Sequence, residues 1–189
     1  IDLYSVAKPM TAVLAAQLAI DGDIDVDAPI GDIAPAPWNA VTLRQLLTHT
    51  AGVRHYRKGE WMKVSDRPCA TTGEALSDFI ADPAVGPAGT YSYSSFGYVL
   101  VSHVLAARAG GDFGALLRTR VFEPVGAKAQ LWAPGSRRPP NGFEEAGRGF
   151  KPARAVDNSC KFGAGGVIGS ADDLARFGYG VVSHQLISA

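Results

Sequence analysis

The sequence predicts a predominantly helical globular chain in which convincing strands are few. Three observations carry that prediction. Helix-length apolar stretches recur, and they close on glycine at Gly22, Gly52 and Gly110-Gly111. Of the 189 residues, 47% are hydrophobic and 19% charged, the balance of a soluble globular protein with enough apolar surface for a real core. The remaining stretches are polar or rich in Pro and Gly, which marks connections rather than strands. The length suits one compact domain, or one domain with a substantial insertion.

The elements follow in order. Pro9 breaks helix interiors but is tolerated in a first turn, so the first helix starts close to Ser5 or Val6. Met10, Val13, Leu14, Ala16, Leu18 and Ala19 give it apolar residues on most sides, and Asp21-Gly22-Asp23 ends it. Residues 24–37 read as an extended, Pro-rich connection. Thr42 opens a short helix through His49 that stops at Gly52. Residues 53–73 are polar and irregular, the pattern of a surface excursion. A helix is expected from Thr72 to Ala81, with Glu74 favourably placed in its first turn. Tyr91 to Ser95 is extended and leads into a helix that runs to Gly110. Phe113 to Val121 forms another, amphipathic helix. Pro134 to Pro152 reads as a long loop. Ser170-Ala171-Asp172-Asp173 is a capping-box-like start, with Asp in place of Glu, for a helix through Leu174, Phe177 and Val181.

Composition excludes several functions. Eighteen basic residues balance eighteen acidic ones. The cluster Arg54, Arg57, Lys58 and the pair Arg137-Arg138 read as solvated loop charges, so nucleic-acid binding has no electrostatic support. The four histidines are not clustered with carboxylates, so no zinc, and no other metal or cofactor, is expected. Cys69 and Cys160 lack metal-ligand spacing; they form one disulfide or remain two buried or idle thiols. No apolar run approaches the roughly 20 residues of a membrane span. The chain opens on Ile1-Asp2-Leu3-Tyr4-Ser5 without a signal peptide, like the middle of a domain, which says little about its compartment.

Two segments carry chemistry. Ser5-Val6-Ala7-Lys8 is the chain's single S-x-x-K, and i, i+3 spacing makes serine and lysine neighbours on a helix. A serine hydroxyl needs a base to become a nucleophile, and a lysine kept neutral by burial can act as one. A helix N-terminus also offers free N–H groups to a developing oxyanion. The same four residues also spell a serine cap followed by a solvated lysine. The second segment is Gly89-Thr90-Tyr91-Ser92-Tyr93-Ser94-Ser95-Phe96-Gly97-Tyr98, which taken alone is a strand turning into a serine-capped helix.

Together these residues resemble the penicillin-recognising serine enzymes, the superfamily of β-lactamases and D,D-peptidases. Ser5 to Ala12 resembles their nucleophile helix. Tyr93-Ser94-Ser95 stands at the Tyr-x-Asn motif of the class C-like branch. Leu46-Leu47-Thr48-His49-Thr50-Ala51-Gly52 is similar to its Leu-Leu-Thr-His-Thr-Ser-Gly stretch, and Gly165-Gly166 through Ser170, Asp173 and Leu174 to its Gly-Gly, Ser/Thr-x-x-Asp-Leu segment. Thr48 to Tyr56 and Val156 to Lys161 resemble most the mitochondrial β-lactamase-like serine proteins and their bacterial relatives.

The resemblance implies an α+β fold: an antiparallel sheet flanked by helices, plus a mostly helical domain, with the active site between them. It implies a serine acyl hydrolase that cleaves a peptide amide, ester or β-lactam through an acyl-enzyme. Ser5 would be the nucleophile, with Lys8 and Tyr93 as the proton-handling pair in which either can be the base. Ser95, standing where relatives carry Asn, would contact substrate. The alternative is a penicillin-recognising sensor or assembly scaffold with little turnover. The implied partner is a small-molecule or peptide substrate, a homo-oligomer is left open, and a periplasmic or secreted location is favoured. His49 has a structural role in such proteins, and Asp157, Asn158 and Ser159 are either cleft-bordering or plain loop residues.

The superfamily's third motif, Lys/His-Thr/Ser-Gly on an edge strand, has only Lys161-Phe162-Gly163 as a candidate. That triplet lacks the hydroxyl and falls too soon after Tyr93. Residues 1–189 are therefore expected to be the central part of one catalytic domain. The nucleophile helix would span about 5–21, a mostly helical subdomain about 22–160, and a return toward the sheet about 161–189. The remaining strands are expected from segments outside these residues.

Overall fold

A computed structural model describes residues 1–136 and 143–187. The chain enters along a sheet edge: Asp2 bridges Ile168, and the Leu3 N–H donates to Val167 O at 2.9 Å. One 3-10 turn, Tyr4–Val6, leads into helix α1, Ala7–Ile20. Pro9 occupies its first turn, and Gly22, at φ +83°, closes it in the left-handed conformation that glycine adopts without penalty. Met10, Val13, Leu14 and Leu18 are buried, so α1 is a core helix.

Against α1 packs α5, Ser95–Ala109, whose residues from Ser95 to Ser102 are all buried. Ser94 caps it by accepting from the Gly97 N–H, and Gly110 at φ +66° ends it. Around this pair stand α2 (Leu43–Leu47), α4 (Thr72–Leu76) and α6 (Phe113–Leu117). Met10, Leu14, Leu100, Leu105, Phe113 and Phe122 share one core, each such side chain contributing roughly 1.5–3 kcal/mol by burial. Helix α2 carries a full capping box between Thr42 and Gln45. Helix α8, Ala171–Val182, carries the predicted one between Ser170 and Asp173.

Strands are short. β1, Gln130–Leu131, pairs antiparallel with β4, Val167–Ile168, and Asp2 bridges the same Ile168. Helices thus flank a small, partly formed antiparallel sheet, the expected α+β arrangement. The described residues contain no closed sheet. No helix among them is long and apolar enough to cross a membrane.

Five expectations need correction. Residues 53–73 are not a surface excursion: Val53, Arg54, Val64, Ser65 and Cys69 are buried, and the segment contains α3, Glu60–Val64. Arg54 is not a solvated loop charge either. Its guanidinium forks onto Glu60 at 2.6 and 2.9 Å, reaches Asp82 at 2.5 Å and lies over the Phe96 ring. The helix expected to reach Ala81 stops at Leu76 and gives way to turns. The loop expected from Pro134 to Pro152 contains a hairpin of β2, Phe143–Ala146, and β3, Gly149–Pro152. All eight of its strand residues are exposed, so it has no apolar face and leaves no alternating pattern to read. The helix from Phe113 ends at Leu117 and continues as a π-helical turn, Arg118–Phe122. The pair Arg137-Arg138 lies outside the described residues.

Cys69 and Cys160 form a disulfide. It ties the 53–73 segment to the turn that precedes β4, close to the site described next.

Candidate active site

The turn Tyr4–Val6 places Ser5 at the entrance of α1, and the helical rise brings Lys8 beneath it. Lys8 Nζ lies 3.0 Å from Ser5 Oγ, and Tyr93 Oη lies 2.8 Å from the same oxygen. Residues 88 positions apart thus meet on one hydroxyl. Lys8 Nζ also donates to the Ala164 carbonyl at 2.6 Å and reaches Ser95 Oγ at 3.2 Å. A neutral amine has two N–H donors and one lone pair. As an ammonium, Lys8 donates to Ser5 Oγ, Ser95 Oγ and Ala164 O alike; once it is neutral, with its two donors kept on Ala164 O and Ser95 Oγ, its lone pair is left for Ser5.

Burial pushes the Lys8 amine down, and the neighbouring Tyr93 offsets only part of that, so its pKa lies below the ordinary lysine value. Burial raises Tyr93, but hydrogen bonding to Lys8 and Ser5 and the Lys8 charge outweigh it, so its hydroxyl falls below the ordinary tyrosine value.

The Ala164 carbonyl is held by a turn built for close approach. It comprises Ser159–Lys161 and the single helical turn α7, Phe162–Gly165. Thr11 Oγ1 from α1 lies 3.1 Å from Gly163 O, and Ser102 Oγ from α5 accepts from the Gly163 N–H at 3.1 Å. A Cβ on Gly163 would sit 2.2 Å from Thr11 Oγ1, and one on Gly166 2.8 Å from Asn158 O. The glycines let backbone reach the lysine.

Tyr93 is positioned by two histidines. His49 Nδ1 accepts the Ser94 N–H and His55 Nδ1 accepts the Ser95 N–H, both at 3.1 Å. Their rings lie 4.6 and 5.3 Å from the Tyr93 ring. Burial, then the Lys8 charge, lowers the pKa of each, which suits an unprotonated acceptor nitrogen. Both rings hold backbone N–H groups beside Tyr93, and neither hydrogen-bonds Ser5. Ser94 Oγ donates to Arg54 O at 2.7 Å, so the buried Arg54 fork fixes this loop as well.

Ser95, expected to contact substrate, is buried against Lys8 yet still lines the cleft of about 520 Å³ above Ser5. Asp157, Asn158 and Ser159 do not border it. They are buried struts: Asp157 accepts from Gly135 N–H and Ser159 N–H, Asn158 Oδ1 from Ser65 Oγ, and Ser159 Oγ from Cys69 N–H. Sequence reasoning missed the Ala164 carbonyl and the place of His55, and it weighed Lys161 only within the Lys161-Phe162-Gly163 triplet; Lys161 lines the cleft from a turn rather than from an edge strand. The three closely spaced glycines at 163, 165 and 166 were the available signal for the first. No group of potential metal ligands occurs among the described residues.

Comparison with known proteins adds the following. The Beta-lactamase family matches residues 1–188. The chain is 23% identical over 186 residues to a putative penicillin-binding protein, PbpX, of Bacillus subtilis, covering 96% of this chain and 46% of that protein. It is 28% identical to esterase EstB of Burkholderia gladioli, covering 92% and 55%. Among solved structures, a D-amino acid amidase from Ochrobactrum anthropi superposes with a TM-score of 0.84 at 23% identity, over 100% of this chain and 56% of that one, a likeness of fold. The chain spans about half the length, or less, of the curated relatives it matches.

Proposed function

This chain belongs to the Beta-lactamase family, and on that premise we propose that it carries the nucleophile and proton-handling half of a serine acyl hydrolase. The observation that supports this most is the position of Ser5 Oγ between Lys8 Nζ, at 3.0 Å, and Tyr93 Oη, at 2.8 Å. In this reading the Ser5 proton passes to the Lys8–Tyr93 pair as Oγ attacks a substrate carbonyl. The tetrahedral oxyanion collapses, Tyr93 returns the proton to the leaving atom, and an ester to Ser5 remains. Water then attacks that ester and gives a proton to the same pair, which returns it to Ser5 Oγ as the Oγ–acyl bond breaks and the acid leaves. The Ser5 backbone N–H serves as the oxyanion donor that this chain contributes.

The substrate is an amide, ester or β-lactam. The esterase and penicillin-binding protein among its relatives support that range, and Ser95, where the Tyr-x-Asn motif of class C β-lactamases has Asn, directs it away from lactams. The disulfide supports a periplasmic or secreted location, since such bonds persist in oxidising compartments. A panel of nitrocefin, p-nitrophenyl esters and D-amino-acid amides, followed in the first turnover, tests the reading. The expected result is a product burst equal to the enzyme concentration on at least one of them. Labelling by a fluorescent penicillin with no turnover would favour a sensor, and neither labelling nor turnover would refute acylation.

A further inference from the structure

Lys161 is a buried cation that the proposed chemistry does not use. It is 6% exposed, yet its side chain reaches the cleft that holds Ser5. Its Nζ lies 5.9 Å from the Tyr4 ring and 5.8 Å from the Trp61 ring, so two aromatic faces flank it. The Asp2 carboxylate favours its charged form, against burial and the charge of Lys8. Burial lowers its pKa to about 8, which leaves it mostly charged at neutral pH. Burying a cation is costly. Arg57 and Lys58 also line this cleft, and no Asp or Glu does. The wall is thus cationic at its depth and at its mouth.

Tyr93 touches Ser5 and would protonate the departing atom, so the leaving group sits against Tyr93. That placement would leave the wall formed by Tyr4, Trp61 and Lys161 for the acyl part. We propose that Lys161 is a specificity-determining residue that binds a carboxylate on the acyl side of the substrate, with Tyr4 and Trp61 enclosing the chain that carries it. This rests on the acyl-hydrolase reading above and deepens it by naming a substrate class: acidic acyl groups.

The test compares mono-p-nitrophenyl glutarate with p-nitrophenyl valerate, two esters of similar length that differ in the acyl-end charge. In the full protein, Lys161→Met should lower the acidic-to-neutral ratio of kcat/KM by about 10-fold or more, mainly through KM, as loss of a desolvated charge pair does. Lys161→Arg should recover part of the ratio, which a merely structural role would not produce. An unchanged ratio overturns the proposal, whether both rates fall together or neither moves.

A binding arm keeps this separate from catalysis. Free glutarate should raise the melting temperature of the Ser5→Ala protein but not of Ser5→Ala/Lys161→Met. Absence of that shift in Ser5→Ala overturns the proposal even if ester turnover is normal. Conversely, a normal shift with ester turnover that survives Ser5→Ala would sink the acyl-enzyme reading and leave the anion site standing.

Discussion

The corner around Ser5 and the hairpin of β2 and β3 are built on opposite terms. His184, just after α8, has a positive φ, but the other three described non-glycine residues that do lie around Ser5: Tyr4 at 45°, His49 at 59° and Phe162 at 38°. Each has a task there. Tyr4 precedes the nucleophile, His49 receives the Ser94 N–H beside Tyr93, and Phe162 starts the turn that presents the Ala164 carbonyl. Two lysines are buried in the same corner. The hairpin has ordinary pairing, an exposed Lys151–Glu144 contact, and Phe143 and Phe150 open to solvent. Strain and buried charge reduce stability and persist only where surrounding structure enforces them. Their concentration at one corner, and absence from the hairpin, marks where the molecule gives up stability for chemistry.

That contrast can be broken or sharpened by substitution. The largest effect is expected for Ser5→Ala, a fall in kcat on the order of 10³-fold or more, measured on whichever panel substrate turns over. Lys8→Arg and Tyr93→Phe should each cost about 10²–10⁴-fold, because guanidinium keeps its proton and phenylalanine has no hydroxyl. Wild-type rates in either variant would dissolve the special status of the corner.

The pH profile gives a finer reading. Lys8 and Tyr93 both lie below their ordinary values of 10.5 and 10.0. The proton-accepting form gains as pH rises through a lowered pKa. kcat/KM should therefore climb with pH, with its midpoint below 10.0, the ordinary tyrosine value. A midpoint at or above 10.0 contradicts the lowered pair.

Gly163→Ala tests the turn rather than the chemistry. Its methyl would meet Thr11 Oγ1 and Phe113, and overpacking of this kind costs about 1–3 kcal/mol, readable by denaturant titration together with lost activity. Phe150→Ser in the exposed hairpin should change stability by less than about 0.5 kcal/mol and leave kcat/KM alone. A hairpin effect as large as that of Gly163→Ala would erase the distinction between the two regions.

How much of this was legible in the sequence depended on whether its cause was local. The start of α1 just ahead of Pro9, its stop at Gly22 and the Ser170–Asp173 capping box rest on residues a few positions apart, and all three were readable. Ser5, Lys8 and Tyr93 were readable because a resemblance joined segments that no local rule connects. The Ala164 carbonyl was not, since a backbone oxygen has no letter. Arg54 was misread as solvated because its partners Glu60 and Asp82 become neighbours only through the fold. Lys161 was weighed as part of a motif it does not form, and its place between Tyr4 and Trp61 depends on three separate segments. The exposed hairpin hid for the opposite reason, having no buried face to impose a period.

The most direct test of the account is covalent. The full protein is treated with a fluorophosphonate, digested, and the adduct located by mass spectrometry, with Ser5→Ala and Lys8→Arg in parallel. The account predicts one adduct, on the peptide containing Ser5, absent from Ser5→Ala and strongly slowed in Lys8→Arg. An adduct on Ser94 or Ser95, or equal labelling of Ser5→Ala, would contradict it.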